Sequence, residues 1–211
     1  MIDRHILPLQ QAVLAPVGRW LAAIGTTADQ VTLAGFGVGA LAGAALALDW
    51  AQAGLALILL NRVLDGLDGA VARAAGPSDR GAFLDISSDF LFYALVPLGF
   101  ALADPARNAL PAAVLITAFV GTGSSFLAFA SIAAKRGLAA ADYPAKGIFY
   151  LGGLTEGAET IGLFVAMCLW PVAFPWLAYA FAAACFATTI ARWHTGWRAF
   201  TDAPKPQRPT P

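Results

Sequence analysis

The sequence predicts an all-α, polytopic membrane protein with six transmembrane helices, an N-terminal interfacial amphipathic helix and both termini in the cytosol. Composition is the first observation behind this prediction: 59% of the 211 residues are apolar and only 12% are charged, whereas an ordinary soluble domain has about 25% charged residues. The second is that mainly apolar runs of about 20 residues, long enough to cross a bilayer, recur six times. The third is a one-sided distribution of lysine and arginine.

Residues 1–24 form the predicted interfacial helix. Apolar side chains recur there at steps of three and four residues, namely Ile6, Leu9, Val13, Val17, Leu21 and Ile24. This spacing is typical of a helix that lies on a membrane surface. Because Pro8 and Pro16 interrupt any continuous apolar stretch, the segment does not resemble a signal peptide. A disordered tail is the alternative interpretation.

Residues 25–200 hold all six spans and are predicted to form one membrane domain. The spans are expected at 31–48, 51–73, 81–102, 108–133, 148–170 and 174–193. The proline-rich residues 201–211 are predicted to be a disordered cytosolic tail.

Lysine and arginine orient these spans. If the N-terminus is cytosolic, only Arg107 falls on the outer side. Arg62 lies in the inner half of a span, and the cations of the inner segments are then Arg4, Arg19, Arg73, Arg80, Lys135, Arg136, Lys146, Arg192, Arg198, Lys205 and Arg208. Because such cations concentrate in the cytosolic segments of membrane proteins, both termini are placed in the cytosol.

Four aspartates lie close together where the second span ends and the third begins. Residues three or four apart share a helix face, which puts Asp65 and Asp68 on one stripe and Asp85 and Asp89 on another. A short turn at Gly76 joins the two spans, so we expect the four carboxylates to converge just inside the inner membrane surface. Ionisable groups inside a bilayer are costly and therefore point to function.

Four convergent carboxylates need positive countercharge in a low dielectric. All-oxygen ligation suits hard cations such as Mg²⁺ or Mn²⁺, and two divalent cations supply four positive charges. Paired cations close to phosphates support an in-line phosphoryl displacement. A nucleotide diphosphate that carries a lipid would suit a site that opens to both cytosol and bilayer, as this position predicts. The net charge of zero gives no indication of a nucleic-acid partner.

The aspartates and their neighbours resemble the signature of the CDP-alcohol phosphatidyltransferase family (class I). That signature is Asp-x-x-Asp-Gly-x-x-Ala-Arg followed by Gly-x-x-x-Asp-x-x-x-Asp. All eight specified positions are present, as Asp65, Asp68, Gly69, Ala72, Arg73, Gly81, Asp85 and Asp89. The spacer between the two halves has seven residues where the family usually has eight. Residues 61–70 are similar to a bacterial inner-membrane group of this family, which implies that location but no particular acceptor.

The resemblance implies an enzyme of phospholipid biosynthesis that moves a phosphatidyl group from CDP-diacylglycerol to a small alcohol and releases CMP. It implies that Asp65, Asp68 and Asp85 bind two divalent cations, Mg²⁺ or Mn²⁺, and that Asp89 is both a metal ligand and the proton acceptor. The residues implied to contact the CDP moiety are Thr27, Ala28, Asp29, Gln30, Gly69, Arg73 and Ser78. Alanine at position 28 replaces a proline that is usual in the family. Membrane lipids and a second copy of the chain, in a homodimer, are further implied partners.

The sequence does not determine the acceptor. Glu156 and Glu159 share a face of the fifth predicted span and are candidates for binding acceptor hydroxyls or an amine. Alternatively, they pair with Arg192 or Arg62, or lie at a subunit interface. An acceptor that carries a phosphate, such as glycerol phosphate or inositol phosphate, needs a cationic pocket. The cations near the long cytosolic loop are Lys135, Arg136 and Lys146.

Two other function classes stay open at this stage. Intramembrane prenyltransferases also bind a diphosphate through aspartates and Mg²⁺, but they have longer chains and a different motif spacing, and they release pyrophosphate. A non-enzymatic transporter would use the acidic cluster as a divalent-cation site. The inverted repeats and broken helices that are typical of transporters are not evident in the sequence.

Overall fold

The computed structural model describes residues 3–137 and 155–201, and these residues form helices joined by short connections, with no strand among them. The helices are α1 (Asp3–Ala23), α2 (Ala28–Ala47), α3 (Ala51–Ala75), α4 (Asp79–Ala103), α5 (Pro105–Lys135), α6 (Gly157–Leu169) and α7 (Phe174–Ala199). A short 3₁₀ helix, Pro171–Ala173, precedes α7. The all-helical prediction is therefore confirmed. Most of the predicted cytosolic loop and tail lies outside the described residues.

Four helical segments of the described part are long and apolar enough to cross a membrane: Ala28–Ala47, Asp79–Ala103, Pro105–Lys135 and Pro171–Ala199. They correspond to the first, third, fourth and sixth predicted spans. The second predicted span coincides with α3, which has 25 residues and an expected length of about 37 Å. Its four ionisable residues, Arg62, Asp65, Asp68 and Arg73, make α3 too polar to count as a membrane span by composition.

The fifth predicted span, 148–170, is only partly described. Its visible portion is α6, an apolar helix of 13 residues, and residues 148–154 lie outside the described part. Six spans and the cytosolic placement of both termini therefore stay predictions.

Hydroxyl side chains cap the first turns of α2 and α4. Thr27 begins α2, where its hydroxyl accepts the Gln30 N–H while its own N–H donates to the Gln30 side chain, as in a capping box. Ser78 begins α4 and accepts the Gly81 N–H at 3.0 Å. Because both caps lie at the same end of the bundle, they fix the two helix starts that flank the acidic cluster.

The core lies where α2 to α7 meet, and aromatic residues dominate it. Phe92, Phe164 and Phe174 are fully buried. Phe92 packs edge-on against Phe164 at a centroid separation of 6.1 Å, and Phe100 stacks on Phe174 at 4.7 Å. Exposed side chains are also large and apolar, with Trp197 81% exposed. A chain that is apolar both inside and outside suits a lipid environment.

The helix α2 is the element on which the acidic helices assemble. It packs closely against both α3 and α4, whereas α3 and α4 are not among the closely packed helix pairs. The approach depends on glycine, because a Cβ atom on Gly39 would lie 2.7 Å from the Phe92 ring. The arrangement leaves a cleft between α3 and α4 with α2 as its wall.

The N-terminal helix lies against α3. A Cβ atom on Gly18 would lie 2.6 Å from Cβ of Ala70, and Gly66 faces Gln10 and Leu14. The side chains of Val13 and Val17 point outward and are exposed. This arrangement agrees with the helix that was predicted for residues 1–24, although its position at the membrane surface stays a prediction.

Candidate metal and nucleotide site

Three of the four predicted aspartates meet in the cleft between α3 and α4. One carboxylate oxygen each from Asp65, Asp85 and Asp89 lies within 4.8 Å of the other two. All three residues are partly buried. Such a set of hard oxygen donors fits a divalent cation of the Mg²⁺ or Mn²⁺ class.

The fourth aspartate, Asp68, lines the same pocket but is held from the opposite wall. Thr32 of α2 donates its hydroxyl proton to Asp68 Oδ2 at 2.7 Å, and both residues are buried. Asp68 is not part of the three-carboxylate cluster. The sequence placed it correctly on the Asp65 side of α3 but gave no indication that Thr32 binds it.

The pocket is lined mainly by polar and charged residues, with two phenylalanines among them. Its lining residues are Thr32, Gly35, Phe36, Asn61, Arg62, Asp65, Asp68, Asp85, Ser88, Asp89 and Phe92. The free interior is about 10 Å³, close to the space that one water molecule needs. The enclosed part of the pocket therefore has room for about one water molecule.

Arg62 is the positive charge of this site, and the sequence interpretation missed that role. Its Nη2 donates to Asp89 Oδ1 at 2.9 Å, and its Nη1 lies 3.6 Å from Asp65 Oδ2. Arg62 therefore pairs with these two aspartates, and the alternative that it pairs with Glu156 or Glu159 is wrong. The spacing of the sequence does predict one of these contacts, since Arg62 precedes Asp65 by three residues and therefore shares its helix face.

Arg62 is itself held by neutral groups. Its Nε donates to Asn61 Oδ1 at 2.8 Å, while Asn61 donates to the Gly35 carbonyl oxygen at 2.8 Å. The guanidinium carbon lies 4.6 Å from the centre of the Phe92 ring, within the range of a cation–π contact. These contacts direct the outer nitrogen atoms of Arg62 toward the carboxylates.

The four residues of the predicted nucleotide strip lie at the start of α2, beside the start of α4. Thr27 and Gln30 cap each other, and the Ala28 carbonyl oxygen lies 3.1 Å from the Thr32 hydroxyl. Asp29 Oδ2 pairs with Nη2 of Arg80 at 2.5 Å. The strip is thus connected to α4 through Arg80 and to the aspartate pocket through Thr32.

The other three residues predicted to contact the CDP moiety flank the α3–α4 connection. Arg73 is exposed, and its Nη1 lies 3.2 Å from the position that a Cβ atom of Gly69 would take. The guanidinium therefore covers Gly69, and a side chain at that position would push it away. Ser78 is exposed and caps α4. None of the three is among the described residues that line the aspartate pocket.

Glu156 and Glu159 lie at the start of α6, where the Glu156 N–H donates to the Glu159 side chain at 3.2 Å. Carboxylates are favourable near the positive end of a helix dipole, which gives Glu159 a structural role. Neither glutamate is among the described residues that line the aspartate pocket.

Comparisons with known proteins agree with the motif. The family model described as CDP-alcohol phosphatidyltransferase matches residues 25–193. The chain is 54% identical over 197 residues to the inner membrane protein YnjF of Escherichia coli (strain K12), across 93% of this chain and 96% of YnjF. It is 35% identical over 103 residues to the archaetidylinositol phosphate synthase of Pyrococcus horikoshii, across 48% of this chain and 55% of that protein.

Solved structures share the fold. The phosphatidylinositol phosphate synthase (PgsA1) of Mycobacterium tuberculosis with CDP-DAG bound has a TM-score of 0.66 and 24% identity, over 88% of this chain and 94% of the other. The same protein in complex with manganese and citrate has a TM-score of 0.65 and 25% identity, over 87% and 88%.

Proposed function

The chain belongs to the CDP-alcohol phosphatidyltransferase family, and on this premise we propose that it transfers a phosphatidyl group from CDP-diacylglycerol to a small alcohol and releases CMP. It is an enzyme, a transferase of phosphate-containing groups. Family membership therefore favours this activity over the prenyltransferase and transporter that the sequence left open.

One observation carries the proposal for the site. The carboxylate oxygens of Asp65, Asp85 and Asp89 lie within 4.8 Å of one another, at the end of the bundle where the α2 strip and the α3–α4 connection also lie. The donor is supported by the M. tuberculosis relative, which was solved with CDP-DAG bound. A divalent cation is supported by the manganese complex of that relative and by the oxygen-only character of the cluster.

In the proposed reaction Asp65, Asp68 and Asp85 hold two cations, and Asp89 serves both as ligand and as proton acceptor. When bound, the cations neutralise the charge of the pyrophosphate group. Asp89 takes the proton of the acceptor hydroxyl. The hydroxyl oxygen then attacks the phosphorus that bears diacylglycerol, and the bond from that phosphorus to the CMP oxygen breaks. The products are a phosphodiester lipid and CMP.

The remaining proposed contacts orient the donor. Arg73 offers a planar guanidinium, which suits bidentate binding of a phosphate oxygen pair. We assign Gly69, Ser78 and the strip of residues 27–30 to the CDP moiety. Gly69 fits this role because its missing side chain lets the Arg73 guanidinium lie against the helix backbone there.

We propose the inner membrane of a bacterium as the location, with the site facing the cytosol. The similarity to the E. coli inner membrane protein supports the location. The concentration of lysine and arginine at the α3–α4 end supports the orientation. A homodimer stays a prediction of the family resemblance.

The acceptor is the least constrained part of the proposal. Two relatives are named for inositol phosphate lipids, which favours a phosphorylated polyol as the first acceptor to test. Lys135 and Arg136, at the inner end of α5, are the described candidates for binding its phosphate. Glu156 and Glu159 are the candidates for an acceptor with free hydroxyls or an amine.

The test is CMP release by the purified full-length protein in detergent. CDP-diacylglycerol is supplied with glycerol phosphate, inositol phosphate or serine, in the presence of Mg²⁺, Mn²⁺ or EDTA, and the lipid products are separated by chromatography. We expect cation-dependent CMP release with at least one acceptor. Release that persists in EDTA would contradict the metal-dependent mechanism.

Paired variants make the test specific for the site. Asp89→Asn keeps the shape of the side chain but removes the proton acceptor, so we expect turnover to fall by about 10² or more. Asp104→Asn is the matched control, because exposed Asp104 lies at the other end of the bundle and caps α5 through Oδ1, and asparagine also caps helices. Equal activity of the two variants would remove Asp89 from the mechanism.

A further inference from the structure

Arg62 is a cation built into a site that is proposed to bind cations. Its side chain is 16% exposed, and Asn61 and the Phe92 ring hold it from the side opposite to the carboxylates. A guanidinium is always charged in proteins and, unlike a metal ion, cannot dissociate from the chain. Its position therefore affects every other cation that enters the pocket.

The two aspartates that Arg62 contacts belong to the three-carboxylate cluster. Nη2 lies 2.9 Å from Asp89 Oδ1 and Nη1 lies 3.6 Å from Asp65 Oδ2. A divalent cation held by these residues would share their carboxylates with Arg62 and would enter a pocket with about 10 Å³ of free interior. Like charges at such distances repel strongly in a medium of low dielectric.

Arg62 also restricts how Asp89 is oriented. It contacts Oδ1 of that carboxylate, which leaves Oδ2 available for another partner. Because Asn61 and Phe92 hold the guanidinium in place, the contact limits rotation of the Asp89 side chain. Lysine has a compact ammonium group and cannot reproduce the planar arrangement that reaches Asn61 and Asp89 together.

We propose that Arg62 is a resident counter-ion and positioning residue: it competes with a divalent cation for Asp65 and Asp89, and it orients Asp89 toward the acceptor. The second part rests on the proposed function, whereas the first depends only on the acidic cluster. Arg62 thus weakens cation binding and accelerates turnover, and removing it changes the two quantities in opposite directions.

The first experiment measures Mn²⁺ binding to the full-length protein in detergent, without nucleotide, by electron paramagnetic resonance of the free ion. We expect Arg62→Met to bind Mn²⁺ at least about tenfold more tightly than the wild type, because a repelling charge is lost. Arg62→Lys keeps the charge, so its affinity is expected within about threefold of the wild type. The control is Arg107→Met, since Arg107 donates to the Val172 carbonyl oxygen outside the pocket.

The second experiment measures CMP release at saturating Mn²⁺, with CDP-diacylglycerol and a mixture of glycerol phosphate, inositol phosphate and serine. We expect the turnover number of Arg62→Met to fall at least about tenfold, and Arg62→Lys to recover part of the loss. Tighter Mn²⁺ binding together with slower turnover supports the proposal. A purely structural role of Arg62 would weaken both.

Unchanged or weaker Mn²⁺ binding by Arg62→Met would overturn the counter-ion role. If Arg62→Met does not fold, Arg62→Gln replaces it, with the same expectations. Wild-type turnover in Arg62→Met would overturn the positioning role. Absence of CMP release by the wild type would overturn the proposed function and the positioning role, while the Mn²⁺ comparison still decides the counter-ion role by itself.

Discussion

Replacing Thr32 by valine tests whether Asp68 is a metal ligand. The two side chains have nearly the same shape, but valine has no hydroxyl, so the 2.7 Å hydrogen bond to Asp68 is lost. Thr32 and Asp68 are 7% and 6% exposed, which prevents water from replacing the donor freely. A hydrogen bond to a charged group is worth about 1.5–3 kcal/mol.

The prediction is a loss of stability that depends on the metal. In EDTA we expect Thr32→Val to lower the free energy of unfolding by about 1.5–3 kcal/mol, which corresponds to a fall on the order of 5 °C in the thermal midpoint. With saturating Mn²⁺ the loss should shrink, because a cation on Asp68 supplies the favourable interaction that the hydroxyl no longer provides. The assay is thermal unfolding in detergent, followed by intrinsic tryptophan fluorescence.

Thr32→Ser is the matched control, because it keeps the hydroxyl and removes only a methyl group. Its cost should be about 1 kcal/mol and should be the same with and without Mn²⁺. An equal loss for Thr32→Val in EDTA and in Mn²⁺ would refute the assignment of Asp68 as a ligand. No loss in either condition would refute the energetic value assigned to the hydrogen bond.

Two further predictions concern packing and surface charge. Gly39→Val should lower stability by about 1–3 kcal/mol, because a Cβ atom there would lie 2.7 Å from the Phe92 ring and 3.1 Å from Asn61 Nδ2. Gly37→Val is the control for thermal unfolding, since a Cβ atom at Gly37 has no neighbour within 4 Å among the described residues, and equal losses would contradict the packing argument. Arg80→Ala should change stability by less than about 1 kcal/mol, because Arg80 is 83% exposed, and a larger loss in the same assay would assign the Asp29 contact a structural role.

The sequence predicted two features well, namely the boundaries of the acidic helices and the convergence of three aspartates. Helices α3 and α4 begin and end within two residues of their predicted spans, because long apolar runs define both of them. The convergence of Asp65, Asp85 and Asp89 was predictable as well. Residues three or four positions apart lie on the same face of a helix. Aspartates on an apolar helix need a positively charged partner, and several of them can share one.

The sequence could not reveal contacts that depend on a third helix. Thr32 binds Asp68 from α2, 36 positions away, and a lone threonine in an apolar span has no distinctive signature. Arg62 was visible as a charge within a span, but its partner Asp89 lies on α4. Nothing in the sequence indicated that Glu156 and Glu159 cap the start of α6, because the periodicity of an apolar run does not locate its first turn.

The position of α2 explains how the polar helix α3 would fit the span that the sequence predicts for it. Small residues on α2 let it approach both acidic helices, and α3 is further covered by α1 and α6. Asn61 and Asp68 of α3 are buried, and Arg62 and Asp65 are partly buried, as charges within a membrane would require. Because α3 and α4 pack on α2 more closely than on each other, the cleft between them is left to side chains alone. Arg62 occupies the place in which a cation is proposed to enter, between Asp65 and Asp89.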